Sequence, residues 1–314
     1  MSAPTSASPT KKLLLPPAPS TRDALARAYA SVLAYAGAEA HRAASAPIEA
    51  VHRFRKSVRR ARALLAFSRP FLPGKERRAQ AQALRAAVRE TSILRDVDVL
   101  SEHSALLGEG AAEAAAREAL LAHLRSRRAE QHAGVVGEVL ARAAALLEPL
   151  PARYADALPD PLPRCALQRG LAAVYRRARA AHRAAESAAD FAVALHRFRK
   201  RVKEVRYSLE LLRSRSRSPE PLERLVDLAE ALGALTDRCA LADYIRAHPS
   251  AFDPEAVAPL TRRLADEVDR GGRNLLDRVA WIFAARPRAF AAAVIDARCV
   301  GPSSPSLAEA AEGL

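Results

Sequence analysis

The chain has little of several things, and each shortage narrows what it can be. Glycine occurs only 12 times in 314 residues, aromatic residues make up 5%, and there is one Trp. A β-sandwich rich in Tyr, Val and Thr does not fit, whereas the abundance of Ala and Leu favours helix. Three cysteines, Cys165, Cys239 and Cys299, lie far apart and form no C-x-x-C pair. Neither a disulfide framework nor a zinc ribbon is therefore expected, and the cysteines are read as reduced core residues of a cytoplasmic protein. No apolar run approaches the ~20 residues a membrane helix needs. Catalytic signatures are also missing: there is no Walker loop, no H-E-x-x-H, no G-x-S-x-G and no His-Asp pair. Glu49 and His52 have the Glu-x-x-His spacing of di-iron bundles, but those need two such pairs, and Val193 stands at the matching place before His196. No metal, cofactor or catalytic residue is expected.

What is abundant is positive charge. Fifty Lys and Arg face 35 Asp and Glu, a formal net charge of +15. An excess of this size attracts polyanions through long-range attraction and counterion release.

The pattern along the chain is helical throughout, with no convincing period-2 strand. The Pro-rich start, residues 1–19, reads as a disordered tail. Helices are expected over Thr21–Arg42 (with Ser20 or Thr21 as N-cap), Pro47–Ser68 and Glu76–Thr91. A fourth begins near Asp96, and one long helix covers Glu109–Leu147. Prolines cluster in "EPLPARYADALPDPLPR", which reads as a boundary between sub-domains. Beyond it, helices are expected at Cys165–Ala189, Asp190–Ser214, Pro219–Ala247, Pro254–Arg273 and Leu275–Ala285.

The sequence also repeats. "VHRFRKSVRRARALLAF" from Val51 returns as "LHRFRKRVKEVRYSLEL" from Leu195, an offset of 144 between His52 and His196. "LRDVDVL" from Leu94 returns as "LTDRCAL" from Leu235, offset 141. Two motifs in one order imply two homologous halves, each a four-helix bundle, at 20–155 and 156–300, with a C-terminal tail at 301–314.

On a helix, at about 100° per residue, Val51, Phe54, Val58, Ala61 and Leu65 form a packing seam, repeated by Leu195, Phe198, Val202, Val205 and Leu209. His52, Arg55, Lys56, Arg59 and Arg62 form a separate stripe, repeated by His196, Arg199, Lys200, Lys203 and Arg206. Like charges at i, i+4 destabilise a helix. A stripe with no acid in either copy makes sense if an external anion neutralises it, since Arg forks grip phosphate oxygens and Lys adds compact charge. Arg60 is matched by Glu204 and points away from the stripe. Asp96 and Asp237 read as caps or as partners of an arginine. His41, His103, His123, His132, His182 and His248 have no such context and are read as surface or core residues.

With both stripes in hand, the chain resembles the CHAD family, the histidine-containing α-helical domain. His52, Arg55, Arg59, Arg60 and Arg62 match a first signature, H-x-x-R-x-x-x-R-R-x-R. His196, Arg199, Lys200, Lys203, Arg206, Tyr207 and Glu210 match a second, H-x-x-R-K-x-x-K-x-x-R-Y-x-x-E. Leu94, Arg95, Asp96, Asp98, Val99 and Leu100 match L-R-D-x-D-V-L, whereas Cys239 stands where the second acid of its counterpart would be. The resemblance covers about residues 20–295. It implies an all-α fold of two pseudo-symmetric four-helix bundles whose basic helices line a central groove. It implies inorganic polyphosphate as ligand and association with polyphosphate granules. The E-x-E-x-K mark of the triphosphate-tunnel domain that many relatives carry does not occur, so a binding module without catalytic machinery is expected. Its site would comprise His52, Arg55, Lys56, Arg59, Arg60, Arg62, His196, Arg199, Lys200, Lys203 and Arg206. The alternative is a basic helical protein that binds nucleic acid. Single-strand binders interleave aromatics with their cations, which this chain does not.

Overall fold

Local chemistry starts the helices where the pattern places them. The Ser20 hydroxyl accepts the backbone N–H of Asp23 at 3.1 Å, capping α1 (Thr21–His41). Pro47, in the first turn where its missing N–H costs nothing, opens α2 (Pro47–Phe67). Asp190 accepts the N–H of Val193 at 3.0 Å and starts α8 (Phe191–Leu211). The computed structural model describes residues 11–92, 111–129, 133–163 and 165–295. Within them the remaining helices are α3 (Gly74–Glu90), α4 (Ala111–Ala129), α5 (Ala133–Ala145), α6 (Leu150–Ala157), α7 (Ala166–Glu186), α9 (Glu220–Ala247), α10 (Pro254–Val279) and α11 (Pro287–Val294). The fold is all-α: among the described residues the one β pairing is an isolated bridge between Ser216 and Ile295. None of the described helices is long and apolar enough to cross a membrane.

Both seams are buried as the periodicity requires. Val51, Phe54, Val58, Ala61 and Leu65 on α2, and Leu195, Phe198, Val202, Val205 and Leu209 on α8, are all buried. The two helices pack on each other, α2 also against α1 and α3, and α8 against α7 and α9. Packing crosses the boundary expected at 155/156. One continuous core runs from Leu13 to Ile295. A second cluster joins Leu120 and Leu124 of α4 to Leu241, Ile245, Leu260 and Leu264 of α9 and α10. A helix from the first half therefore packs onto the second.

Several expectations need correction. Residues 11–19 are not a disordered tail: Leu13 and Leu15 are buried, and the Leu15 N–H donates to the Leu211 carbonyl at 3.0 Å. That carbonyl lies at the end of α8, where no further turn exists to satisfy it. The long helix expected over Glu109–Leu147 is two helices, α4 and α5. Within the proline cluster α6 forms, because Pro151 falls in its first turn. Tyr154 of α6 is buried, stacks on Tyr29 at 4.4 Å and bonds the Ser68 hydroxyl at 2.6 Å. The break expected between Arg273 and Leu275 is absent, and α10 runs through it. Gly272 serves close packing, since a Cβ there would stand 2.5 Å from the Phe191 ring. α11 was not foreseen. The helix expected near Asp96, and the C-terminal tail, lie outside the described residues.

Gly170 of α7 meets α2 in the same way. A Cβ there would lie 2.7 Å from the ring of Phe67, which is fully buried. Gly170→Ala gains about 1 kcal/mol of helix propensity but forces overpacking worth about 1–3 kcal/mol. A net loss on the order of 1 kcal/mol is expected, read as a lower urea midpoint; a raised midpoint would show that the contact is loose.

Candidate polyanion-binding site

The two stripes face each other. Arg59 and Arg199 both act on Lys203, Arg206 acts on Lys56, and Arg62 acts on Lys200. These pairs obey the repeat. Adding 144 turns Lys56 into Lys200 and Arg62 into Arg206, so the first cross-pair becomes the last, and Arg59 corresponds to Lys203. α2 and α8 thus run antiparallel past each other with Arg59 and Lys203 at the crossing.

Third helices hold the first arginine of each stripe. Arg55 Nη1 donates to the Val88 carbonyl and the Thr91 hydroxyl, both at 3.1 Å. Arg199 Nη1 lies 3.5 Å from Asp237 Oδ1, and its guanidinium passes within 3.2 Å of the place a Cβ of Gly233 would take. Thr91 and Thr236 each bond back into their own helices, Thr91 to Val88 at 3.1 Å and Thr236 to Gly233 at 3.0 Å. Sequence reading missed Thr91, because an isolated hydroxyl carries no motif. Asp237 takes the arginine-partner role expected of it. Asp96 and Asp98 lie outside the described residues.

Crowding of like charge marks the electrostatics. Burial, then Arg199 and Arg59, pushes Lys203 down from its ordinary 10.5 to about 7, with Asp237 opposing. Lys56 and Lys200 are also lowered, by burial first and then by Arg60 and Arg206 for Lys56, and by Arg62 for Lys200. His196 is held below its ordinary value by partial burial and by Lys200, Arg199 and Lys203. His52 and Arg206 sit partly buried on the same faces.

Arg60 needs correction as a site residue. Its side chain is buried, donates to Glu210 at 2.8 Å and lies over the Tyr207 ring at 5.4 Å. A guanidinium committed to a partly buried carboxylate on the neighbouring helix locks α2 to α8 and is not offered to a ligand. Tyr207 and Glu210, matched in the second signature, serve the same contact. At the repeat position, Glu204 binds Arg201 at 2.6 Å and Arg177 at 3.3 Å.

Other candidates fall outside the site. Glu49 pairs with Arg53 at 2.5 Å. Among the described residues, no three His, Cys, Asp or Glu side chains converge as metal ligands would. His182 is a core residue, its Nε2 3.0 Å from the Leu276 carbonyl, between Phe198 and Phe283. Phe54 and Phe198 are fully buried, so neither can stack on a base. His41 is exposed, His123 packs near Tyr244 and Phe252, and His248 bonds the Tyr244 carbonyl. His103 and His132 lie outside the described residues.

With this geometry in view, comparison with known proteins places the chain. The CHAD domain family matches residues 23–246, and the chain belongs to that family. Among solved structures it is similar to the CHAD domain from the plant Ricinus communis, at TM-score 0.66 and 20% identity, over 91% of this chain and 98% of that one. No curated protein matches it.

Proposed function

We propose that the protein binds inorganic polyphosphate between the α2 and α8 stripes, without catalysing its turnover, and associates with polyphosphate granules in the cytoplasm. The observation that carries this reading is the crossing of Arg59 and Lys203. Two cationic side chains from different helices are held together with Arg199 beside them, and among the described residues Asp237 is the carboxylate that acts on Lys203. Such an arrangement costs stability unless an anion comes between the cations. A linear chain of phosphates supplies dense charge in a width two helices can flank, and asks for no stacking surface. No cofactor enters this reading.

The test is a titration with size-defined polyphosphate against ATP and single-stranded DNA, repeated at several salt concentrations. Polyphosphate is expected to bind with a steep salt dependence and to displace DNA at far lower phosphate-equivalent concentration. If DNA binds equally well or better, the site belongs to nucleic acid.

A further inference from the structure

The cations do not stop at the stripes. After α2, a tight turn, with Leu72 N–H donating to the Ser68 carbonyl at 2.8 Å, folds α3 back beside the end of α2. Arg77 of α3, with Arg78 beside it, thereby comes near Arg69 at the turn. α7 is drawn against the same end of α2 by the Gly170–Phe67 contact. Seven residues on, two turns along α7, Arg177 stands where Arg69, Arg77 and Arg201 all act on it. Arg201 in turn neighbours Arg62 and Lys200 of the stripes. Among the described residues, Glu204 and Glu76 enter this region, and both are engaged. Glu204 is shared by Arg177 and Arg201, and Glu76 takes Arg153 at 2.8 Å. Arg69 and Arg78 are exposed, Arg77 and Arg177 partly so.

We infer that Arg69, Arg77 and Arg78, with Arg177 behind them on Glu204, form a second anion-binding patch, continuous with the stripes through Arg201, that holds the overhanging length of a long polyphosphate chain. The inference rests on the polyphosphate reading above and adds a length preference to it. A chain that only fills the crossing of α2 and α8 never reaches the patch. A longer chain neutralises both, releasing more counterions and binding more tightly than its greater number of binding positions explains. The mutual repulsion of the patch arginines is relieved only by the longer ligand.

The test uses the full-length protein, two polyphosphate lengths and a triple variant. One chain is no longer than the α2 stripe, about 15 Å from His52 to Arg62; the other is several times that length. Arg69→Gln, Arg77→Gln and Arg78→Gln are combined, leaving Arg177 to hold Glu204. Short-chain affinity is expected to stay at the wild-type level. Long-chain affinity should fall between ten- and a hundredfold, and its salt slope should lose about 2, at roughly 0.7 per released phosphate contact. Arg69→Gln alone, at an exposed site, repeats the test with about a third of that slope change should the triple variant lose helicity. If wild type and variant hold the long chain equally, the patch is not a site. Should the variant affect only single-stranded DNA of matched charge, the patch serves nucleic acid and the inference falls. Wild-type protein that binds neither polyphosphate length removes the parent reading, and the inference with it. Binding of the short chain with no added affinity for the long one removes the inference alone.

Discussion

Replacing Arg59 and Lys203 together by methionine is expected to abolish most polyphosphate binding and, in the same molecule, to raise stability. In the proposed complex each residue makes charge-assisted hydrogen bonds to phosphate, worth about 1.5–3 kcal/mol apiece. Losing two costs roughly 3–6 kcal/mol, a hundredfold or more in affinity. Stability moves the other way because the free protein has to hold Lys203 partly buried against Arg199 and Arg59. Methionine keeps the unbranched length of lysine, fills the same space and removes the repulsion.

The stability gain has a pH signature. The lysine is near 10.5 in the unfolded chain and about 7 in the folded one. The unfolded state therefore holds the extra proton between those values, and wild-type stability rises as pH climbs from about 7 towards 10.5. At and below pH 7 the penalty is complete, so Lys203→Met should raise the midpoint most there and least near pH 10. Thermal unfolding across that range, with binding measured in parallel, checks both signs. A variant that is less stable at pH 7 yet binds as wild type would falsify the placement of Lys203 at an anion site.

Much of this was legible in the chain because helices announce themselves by the period of their apolar residues. The seams from Val51 to Leu65 and from Leu195 to Leu209 follow from 3.6-residue spacing, and so does the separation of the cationic stripe from them. Spacing says nothing about what an element packs against. That α2 and α8 cross with Arg59 opposite Lys203, and that α4 joins the second half, are relations between helices far apart in sequence. The misread segments share that cause. Leu13 and Leu15 look like part of a tail until the Leu211 carbonyl is there to accept an N–H. Asn274 looks like a break until α10 runs through it, with Gly272 packed against Phe191. Arg60 matches a signature as well as Arg59 does. One residue is 100° of rotation, enough to turn its guanidinium from the groove to Glu210.

Binding should also take up protons, in two separable steps. In the free protein Lys203 titrates near 7 and His196 below its ordinary value, both depressed by burial and by neighbouring cations. Phosphates placed among those cations reverse the sign of the local field and raise both values. Whenever the bound-state pKa exceeds the free-state one, affinity strengthens as pH falls from the bound value to the free value and is level below that. Lys203 acts first, from its bound value down to about 7; His196 adds a second rise at lower pH. His52 is its counterpart on α2 at the repeat offset. Lys203→Met should erase the upper rise and leave the lower one. His52→Gln with His196→Gln should do the reverse, binding close to wild type at high pH. Calorimetry in buffers of different ionisation enthalpy counts the protons directly. Uptake in the upper window that persists without Lys203 would assign it to another group. If the histidine variant keeps the acid-side gain, the two imidazoles are structural, and recognition belongs to arginine and lysine alone.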